Sequence, residues 1–359
     1  MNPYYHYDFE ASLGDGADLS GNADFDFEKF KRSQSGKHLA KARSLMDRYS
    51  DVDDPDLLSM WESMGVKCQI RETAGKRYLA FIPKHACKQM DLKLPVLLVF
   101  RPVGLLAETF YMDFIELAAQ GDCITLIYCD EDPEQNEVFV DMLSEILAEF
   151  PADPMRVYTT GHSHYGELAM AFTRRHHQMI AGVMQEGDAP GIILNFYGST
   201  QDQLDLMSSY DMPLINAAGT TEFNGIFPIN QDAPGMTEET RRKFSRFPMT
   251  QKQRIDSWKR RLYAMRCPVS SDEEILAASG TKAVRQLGFP VDRSETVYLE
   301  GCECYIGDIK NIDGKYHFRT VAMENIPHTT VRAMHFLCWS YIRRFARNLE
   351  TGEVIELFI

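Results

Sequence analysis

Short apolar runs alternate with amphipathic stretches through the middle of the chain. The runs cover residues 94–100, 123–129, 156–160, 180–184 and 213–218, and the stretches with helical periodicity between them cover residues 107–120, 137–150 and 166–177. Such short runs without polar alternation are typical of strands buried on both faces of a parallel sheet. The alternation predicts an α/β fold with a doubly wound, mostly parallel sheet and right-handed crossovers.

Further strand patterns flank this alternation on both sides. They cover residues 66–71, 77–82, 295–299, 304–309 and 316–323. The first two predict a hairpin, and the sequence Asn311-Ile-Asp-Gly314 predicts a tight turn between the last two. An amphipathic pattern over residues 330–347 predicts a final helix.

The first 65 residues form a separate region, which we interpret as an N-terminal helical arm preceding a domain at 66–359. Its start is acidic and polar, and two helical patterns follow. We expect the arm to pack against the domain. The alternatives are a contact with a second subunit, which would make the protein a homo-oligomer, or a cover over the mouth of a site.

A second interruption lies at residues 223–294, where a polar, basic-rich stretch separates two groups of strand patterns. We interpret it as an insertion that forms a lid-like wall above a pocket, with a solvated helical decoration as the alternative. Phe223 and Trp258 are the candidate pocket residues in this region.

Charge and composition exclude several classes of protein. The chain has 359 residues, 44% of them hydrophobic, and a formal net charge of −14, which would repel nucleic acid and anionic membranes. It shows no apolar run of membrane-spanning length and no basic leader followed by an apolar core. We therefore expect a cytoplasmic protein whose eight cysteines are mostly buried thiols.

The sequence Arg156-Val-Tyr-Thr-Thr-Gly161-His-Ser163-His-Tyr-Gly166 predicts a strand that ends at a glycine, presents one serine and continues as a helix. Such a turn lifts a serine hydroxyl above a sheet edge and points helix N–H groups toward developing negative charge. Ser163 is therefore the candidate nucleophile, and the backbone N–H of His164 is a candidate donor to an oxyanion.

A serine nucleophile needs a base and an orienting acid. His328 lies in the loop between the last strand and the last helix, and Glu222 follows a buried strand, which gives the order serine, acid, histidine. Asp188 and Asp232 remain alternative acids. The four histidines at 162, 164, 176 and 177 lack the spacing of a metal site, so we expect no metal.

Together these motifs resemble the α/β-hydrolase superfamily, and within it esterases similar to polyhydroxybutyrate depolymerases and to feruloyl or acetylxylan esterases. The resemblance spans roughly residues 77–347 and implies ester hydrolysis by Ser163, Glu222 and His328. Two positions depart from the family pattern. Tyr165 stands where the family has a glycine, and Pro102, which has no N–H, leaves Val103 or Gly104 as the second oxyanion donor.

The resemblance thus implies a serine esterase that needs no cofactor and acts on a small or aromatic ester. Arg101 and Tyr165 are further pocket candidates. Arg101 is expected either to attract an acidic or polar substrate or to pair with a neighbouring acid. A peptidase or acyltransferase with the same residues, and an inactive binding protein, are the alternative functions.

Overall fold

The structure is a computed structural model that describes residues 26–49, 51–89, 91–101, 109–187, 200–219, 251–278, 290–326 and 329–358. These residues form two compact units. The first unit lies within His38–Gln185 and His335–Ile359, and the second within Met1–Lys37 and Glu186–Met334. The predicted arm is divided between them at residue 37, and the predicted domain boundary at residue 65 stays a prediction.

The helices and strands follow one another much as the pattern predicts. The helices are α1 Phe27–Arg32, α2 Gln34–Arg48, α3 Pro55–Ser63, α4 Thr109–Ala119, α5 Val138–Glu149, α6 His164–Arg175, α7 Gln201–Ser208, α8 Gln251–Ala264, α9 Asp272–Ala278 and α10 Arg332–Ile342. The strands are β1 Val66–Thr73, β2 Lys76–Pro83, β3 Leu94–Phe100, β4 Ile124–Tyr128, β5 Ala152–His162, β6 Gly182–Glu186, β7 Leu214–Gly219, β8 Arg293–Leu299, β9 Cys302–Ile309, β10 Phe318–Met323, β11 Phe345–Arg347 and β12 Val354–Glu356.

The first unit is built on strands in the order β1-β2-β4-β3-β5. Strands β4, β3 and β5 are mutually parallel, whereas β1 and β2 form the predicted hairpin, whose β2 pairs antiparallel with β4. Every residue of β3 and β4 is buried, as the continuous apolar runs predict. Together with the helices between them, these strands confirm the predicted α/β fold class.

Aromatic packing fixes helix α6 against the sheet of the first unit. The ring of Phe172 on α6 lies 5.5 Å from that of Phe100 on β3 and 5.7 Å from that of Phe139 on α5. Complete burial of each of these rings stabilises the fold by roughly 1.5 to 3 kcal/mol. A hydrogen bond of 2.8 Å between the hydroxyls of Thr159 and Thr173 ties α6 to β5 as well.

The predicted final helix over residues 330–347 is wrong at its end. Helix α10 stops at Ile342, and residues 345–347 form β11, which pairs antiparallel with β12. Tertiary hydrogen bonds explain the difference, because the Tyr158 hydroxyl donates to the carbonyl of Phe345 and the Arg347 guanidinium donates to the carbonyl of Ile180. These contacts hold the backbone extended where the local pattern favours helix.

The second unit has strands in the order β7-β10-β9-β8. Strands β7 and β10 are parallel, with Leu214 opposite Phe318 and Gly219 opposite Met323, whereas β9 and β8 continue antiparallel. The carboxylate of Asp308 on β9 is almost fully buried and accepts hydrogen bonds of 2.7 Å from Arg293 on β8 and from Arg319 on β10. This pairing joins the three strands across the outer half of the sheet.

A partly buried hydrogen bond between His317 and Asp211 links the starts of β7 and β10. Nδ1 of His317 lies 2.7 Å from a carboxylate oxygen of Asp211, and the backbone N–H of Leu214 donates to the His317 carbonyl. Burial alone would raise the pKa of the Asp211 carboxyl, but the hydrogen bond and charge of His317 outweigh it and hold that pKa below its usual value. The two strands are therefore fixed at the end where they begin.

Because its pKa is lowered in the folded state, the Asp211 carboxylate stabilises the fold above about pH 3.9, the value for an unfolded aspartate. That stabilisation is lost as the pH falls through the lower, folded value. We expect Asp211→Asn to reduce the free energy of unfolding by about 1 to 3 kcal/mol at pH 7 and by much less in strong acid. Urea unfolding at both pH values measures the difference.

The control for this experiment is Asp205→Asn, which changes an exposed carboxylate of the same unit that also accepts hydrogen bonds. It should alter stability little at either pH. A loss for Asp211→Asn that is the same at both pH values would show that the charge of the Asp211 carboxylate does not provide the stabilisation.

Candidate active site

Ser163 occupies the turn between β5 and α6, in the order of strand, turn and helix that the sequence predicts. Its backbone has φ 53° and ψ −125°, in a region that residues with a side chain rarely occupy. Holding a serine there costs roughly 1 to 3 kcal/mol, and such strain is concentrated at functional sites. The turn therefore has the sharp, strained backbone expected of a nucleophile elbow.

The Ser163 turn is possible because two glycines let the helix approach the end of the strand. A Cβ atom at Gly161 would lie 2.3 Å from the carbonyl oxygen of Tyr165, and one at Gly166 would lie 2.9 Å from the carbonyl oxygen of Gly161. Gly166 thus allows the close approach of helix and strand. In the family pattern, the glycine with this role stands one residue earlier, at the position of Tyr165. The departure at Tyr165 does not prevent the turn from forming.

The N-terminus of α6 supplies the electrostatic part of the site. The Ser163 carbonyl accepts hydrogen bonds from the N–H groups of Gly166 and Glu167, whereas its side chain makes no capping bond to the helix. Backbone N–H groups in the first turn of a helix have no carbonyl partner within that helix, and they carry partial positive charge. The N–H of His164, in this first turn, is therefore positioned to serve an anion.

The side chains of Arg101 and Tyr165, both predicted pocket residues, lie together. Arg101 follows β3, which pairs with β5 up to Val99 opposite Thr160, so it leaves the sheet beside the Ser163 turn. Its guanidinium carbon lies 5.3 Å from the ring centroid of Tyr165, in the geometry of a cation–π contact. The Tyr165 hydroxyl donates a hydrogen bond of 3.5 Å to the Glu131 carboxylate. This bond orients the ring across the ends of the neighbouring strands.

Several predicted site residues lie outside the residues that the structure describes. They are the acid and base candidates Glu222 and His328, the oxyanion candidates Val103 and Gly104, the pocket candidate Phe223, and the alternative acids Asp188 and Asp232. Their roles stay predictions.

The strands that lead to Glu222 and His328 nevertheless end side by side. Gly219 closes β7 opposite Met323 at the end of β10, and a Cβ atom at Gly219 would lie 1.8 Å from the carbonyl oxygen of Ile326. Only glycine allows this contact. The chain thus begins its two loops, three residues before Glu222 and two before His328, from adjoining backbone positions.

Trp258, a predicted pocket residue, lies in the interior of the second unit, and its pocket role stays a prediction. Its indole is fully buried on α8 and lies 5.8 Å, centroid to centroid, from the ring of Phe318. Phe318 is the first residue of β10, whereas ligand sites in α/β proteins lie beyond the carboxyl ends of the strands. The carbonyl of Arg266, just after α8, also accepts the N–H of Ile312 in the turn that precedes β10. Helix α8 of the predicted insertion thus contacts the end of the sheet where β10 begins, and the lid-like role of the insertion stays a prediction.

The sequence reasoning did not single out Glu186. It is the last residue of β6 and fully buried, and the N–H of the following Gly187 donates to the carbonyl of Ala217 on β7. Its carboxylate therefore lies at the carboxyl end of the strands, close to where β7 ends. A charged residue two positions after the apolar run at 180–184 was the signal that could have identified it.

Within the described ranges, no group of three or more His, Cys, Asp or Glu side chains is arranged to hold a metal ion. Nor does any helix of the described part of the chain combine the length and apolar character needed to cross a bilayer. All eight cysteines are free thiols, five of them buried.

The chain is similar to solved structures of hydrolases. A thermostable esterase is 14% identical over 54% of this chain and 52% of its own, with a TM-score of 0.34. A ferulic acid esterase is 14% identical over 50% of this chain and 83% of its own, with a TM-score of 0.32. For an acylaminoacyl peptidase from Pyrococcus horikoshii the identity is 11%, the coverage 47% and 34%, and the TM-score 0.34.

The chain thus spans only about half of the thermostable esterase and a third of the peptidase. No protein-family model matches the chain, and no curated protein matches it. The features of the chain that bear on its chemistry are the strand, strained turn and helix around Ser163.

A substitution at Gly161 tests whether the close approach holds the Ser163 turn together. Gly161→Ala places a methyl group against the Tyr165 carbonyl, so we expect it to lower the free energy of unfolding by about 2 kcal/mol or more. Gly314→Ala is the control, because Gly314 has φ 76° but open space around it, so that only backbone strain of about 1 kcal/mol is added. Equal losses in urea unfolding would contradict the crowding argument.

Proposed function

We propose that the chain is a serine hydrolase that cleaves the carboxylic ester of a small molecule through an acyl-enzyme intermediate. The observation that carries the proposal is the backbone of Ser163, with φ 53° and ψ −125° between β5 and α6. A serine that merely ended a strand would not need this costly conformation, and its hydroxyl would be available to cap the helix. The conformation has a use when the hydroxyl must stand clear of the sheet edge to attack a substrate.

In the proposed reaction, the Ser163 hydroxyl oxygen attacks the ester carbonyl carbon while His328 accepts the hydroxyl proton. The tetrahedral intermediate collapses, the carbon–oxygen bond to the alcohol breaks, and the alcohol leaves with the proton from His328. Water then gives a proton to His328 and attacks the acyl carbon. The bond to the serine oxygen breaks, that oxygen takes the proton from His328, and the carboxylic acid is released. The carboxylate of Glu222 accepts a hydrogen bond from the Nδ1–H of His328, which fixes the tautomer of the ring and stabilises the imidazolium.

The oxyanion that forms in each step needs donors placed in advance. The N–H of His164 is the first proposed donor, supported by its place in the first turn of α6. The second is the N–H of Val103 or Gly104, in the loop that follows β3 and Arg101. Since β3 is the parallel neighbour of β5, that loop leaves the sheet beside the Ser163 turn.

Tyr165 and Arg101 form one proposed wall of the substrate pocket. Their cation–π contact holds the tyrosine ring in one orientation directly after the nucleophile. A flat, rigid wall of this kind suits a small or aromatic ester better than a flexible chain. The proposed reaction uses only protein side chains and water.

The first test of the proposed function is the reactivity of Ser163 itself. A fluorophosphonate should label the wild-type protein at Ser163, and Ser163→Ala should lose both labelling and hydrolysis of aryl esters, the latter by about 10³-fold or more. Ser144→Ala is the matched control, because Ser144 is an exposed serine whose hydroxyl only bonds the Val140 carbonyl of its own helix. Absence of labelling in a folded wild-type sample would reject the proposal in favour of a binding protein.

A second test assigns the acid. Glu222→Gln should lower kcat by about 10² to 10⁴-fold, because the imidazolium loses its partner. Glu186→Gln removes the buried carboxylate at the end of β6 without touching the proposed triad, and it should leave kcat within about tenfold of wild type. If Glu186→Gln has the larger effect in steady-state kinetics, the acid is Glu186 and the assignment to Glu222 is wrong.

A further inference from the structure

The ends of three neighbouring strands of the first unit meet around Tyr165. Strands β4, β3 and β5 lie side by side and run parallel, so their carboxyl ends share one edge of the sheet. Arg101 follows β3, Glu131 lies in the loop after β4, and Ser163 follows β5. Tyr165 lies in the first turn of α6, and its side chain contacts both Arg101 and Glu131. The ring therefore extends from the Ser163 turn across the ends of β3 and β4.

Arg101 presents a fixed cation to the face of this ring. It is 6% exposed, and its backbone N–H donates a hydrogen bond of 3.1 Å to the carbonyl of Tyr128 at the end of β4. This bond continues the pairing of β3 with β4 by one residue beyond Phe100. The guanidinium carbon lies over the Tyr165 ring at 5.3 Å from its centroid. The attraction between a cation and the face of an aromatic ring is stronger where water is excluded, so the buried guanidinium restrains the ring.

The loop that carries Glu131 is braced from the interior of the first unit. Asn136 is fully buried, and its carboxamide accepts the N–H of Asp130 at 2.9 Å and donates to the carbonyls of Asp130 and Asp132 at 3.0 and 3.4 Å. Glu131 lies between the two residues whose backbone Asn136 holds. Its carboxylate, which accepts the Tyr165 hydroxyl at 3.5 Å, therefore starts from a fixed backbone position.

The position of the Tyr165 ring decides how much room is left beside Ser163. The backbone at Tyr165 is fixed as well, because its carbonyl oxygen would lie 2.3 Å from a Cβ atom at Gly161. Its side chain is half-buried. The family pattern has a glycine at this position, so the ring fills a volume that a glycine would leave empty. Ligands of α/β proteins bind beyond the carboxyl ends of the strands, which is where this ring lies.

We propose that Tyr165 sets an upper limit on the size of the acyl group of the ester, and that Glu131 is the positioning residue that holds its ring. This role rests on the proposed function of Ser163. The acyl group is the relevant part of the substrate because it becomes bonded to Ser163, two residues from the ring, whereas the alcohol departs. The substrates are then esters of short or compact carboxylic acids, and long flexible acyl chains are excluded.

The test measures selectivity for acyl length, defined as kcat/KM for 4-nitrophenyl octanoate divided by kcat/KM for 4-nitrophenyl acetate. We expect the wild type to prefer the acetate. Tyr165→Ala should raise the ratio about tenfold or more, since one methylene group that does not fit a pocket changes kcat/KM by about 10- to 200-fold. Tyr165→Leu keeps an apolar side chain in case the alanine variant does not fold, and its ratio should lie between those of Tyr165→Ala and wild type.

The role of Glu131 is tested by removing the same hydrogen bond from either end. Tyr165→Phe and Glu131→Ala should raise the ratio by similar and smaller amounts, about two- to fivefold, because the ring remains but is less confined. In the double variant Tyr165→Ala/Glu131→Ala, the ratio should equal that of Tyr165→Ala, because no ring is left to hold. A residue that only stabilised the fold would not show this dependence on the ring.

Tyr298→Ala is the matched control. Tyr298 is an exposed tyrosine of the second unit, and its hydroxyl also donates to a carboxylate, that of Glu303, at 2.9 Å. Its replacement should change neither the ratio nor kcat for the acetate. A second control compares octyl acetate with ethyl acetate, whose relative kcat/KM should be the same in Tyr165→Ala and wild type.

Three results would overturn the size limit while the proposed function stands. They are a ratio in Tyr165→Ala within about twofold of wild type, a wild type that prefers the octanoate, and a change that occurs in the alcohol series instead of the acyl series. A wild-type ratio in Glu131→Ala would overturn the positioning role of Glu131. A folded wild type that neither hydrolyses these esters nor is labelled at Ser163 by a fluorophosphonate would overturn the proposed function itself.

Discussion

The close approach of helix α6 to the end of strand β5 is the constraint on which the candidate site depends. Without side chains at Gly161 and Gly166, the first turn of the helix can lie on the strand end, and Ser163, one of the four residues between them, adopts positive φ. The strain of roughly 1 to 3 kcal/mol at Ser163 is comparable to the burial of one aromatic ring. The packing of Phe172 against Phe100 and Phe139 is large enough to offset it.

In the second unit, too, a glycine allows two backbone segments to approach closely. Where β7 ends, Gly219 lets the backbone of Ile326 approach to a distance that no other residue permits. At their opposite ends, β7 and the parallel β10 are joined through Asp211 and His317. The two strands are thus fixed at both ends, so the loops that follow them start from defined positions.

The sequence pattern predicts those features whose causes are local. Continuous apolar runs identify β3, β4 and β7, and a glycine, a serine and a helical pattern in succession identify the Ser163 turn. Tertiary contacts decide the rest. Three features depend on neighbours that are distant in the sequence. They are the close approach at Gly166 instead of at position 165, the extended backbone of Phe345 and the burial of Trp258 against Phe318.

Long-range polar contacts are the hardest to foresee from the sequence. Asn325 follows a strand and reads as an ordinary turn residue until Asp26 is placed beside it. Glu186 is a similar case, because a charged residue after an apolar run normally faces solvent, and only the complete structure shows it buried.

The outermost strand of the second unit has a consequence for how the protein behaves at high concentration. Among the strands that the structure describes, β8 pairs with β9 alone, and its first residues are exposed and include Arg293 and Glu295. Unpaired backbone groups on such a border can recruit a strand from another molecule and start aggregation, and charged side chains discourage this by requiring desolvation. The arginine is also drawn toward Asp308 and the ring of Tyr316 on its own molecule. The charged, exposed residues of β8 thus favour colloidal stability, and this effect does not depend on any catalytic role of the protein.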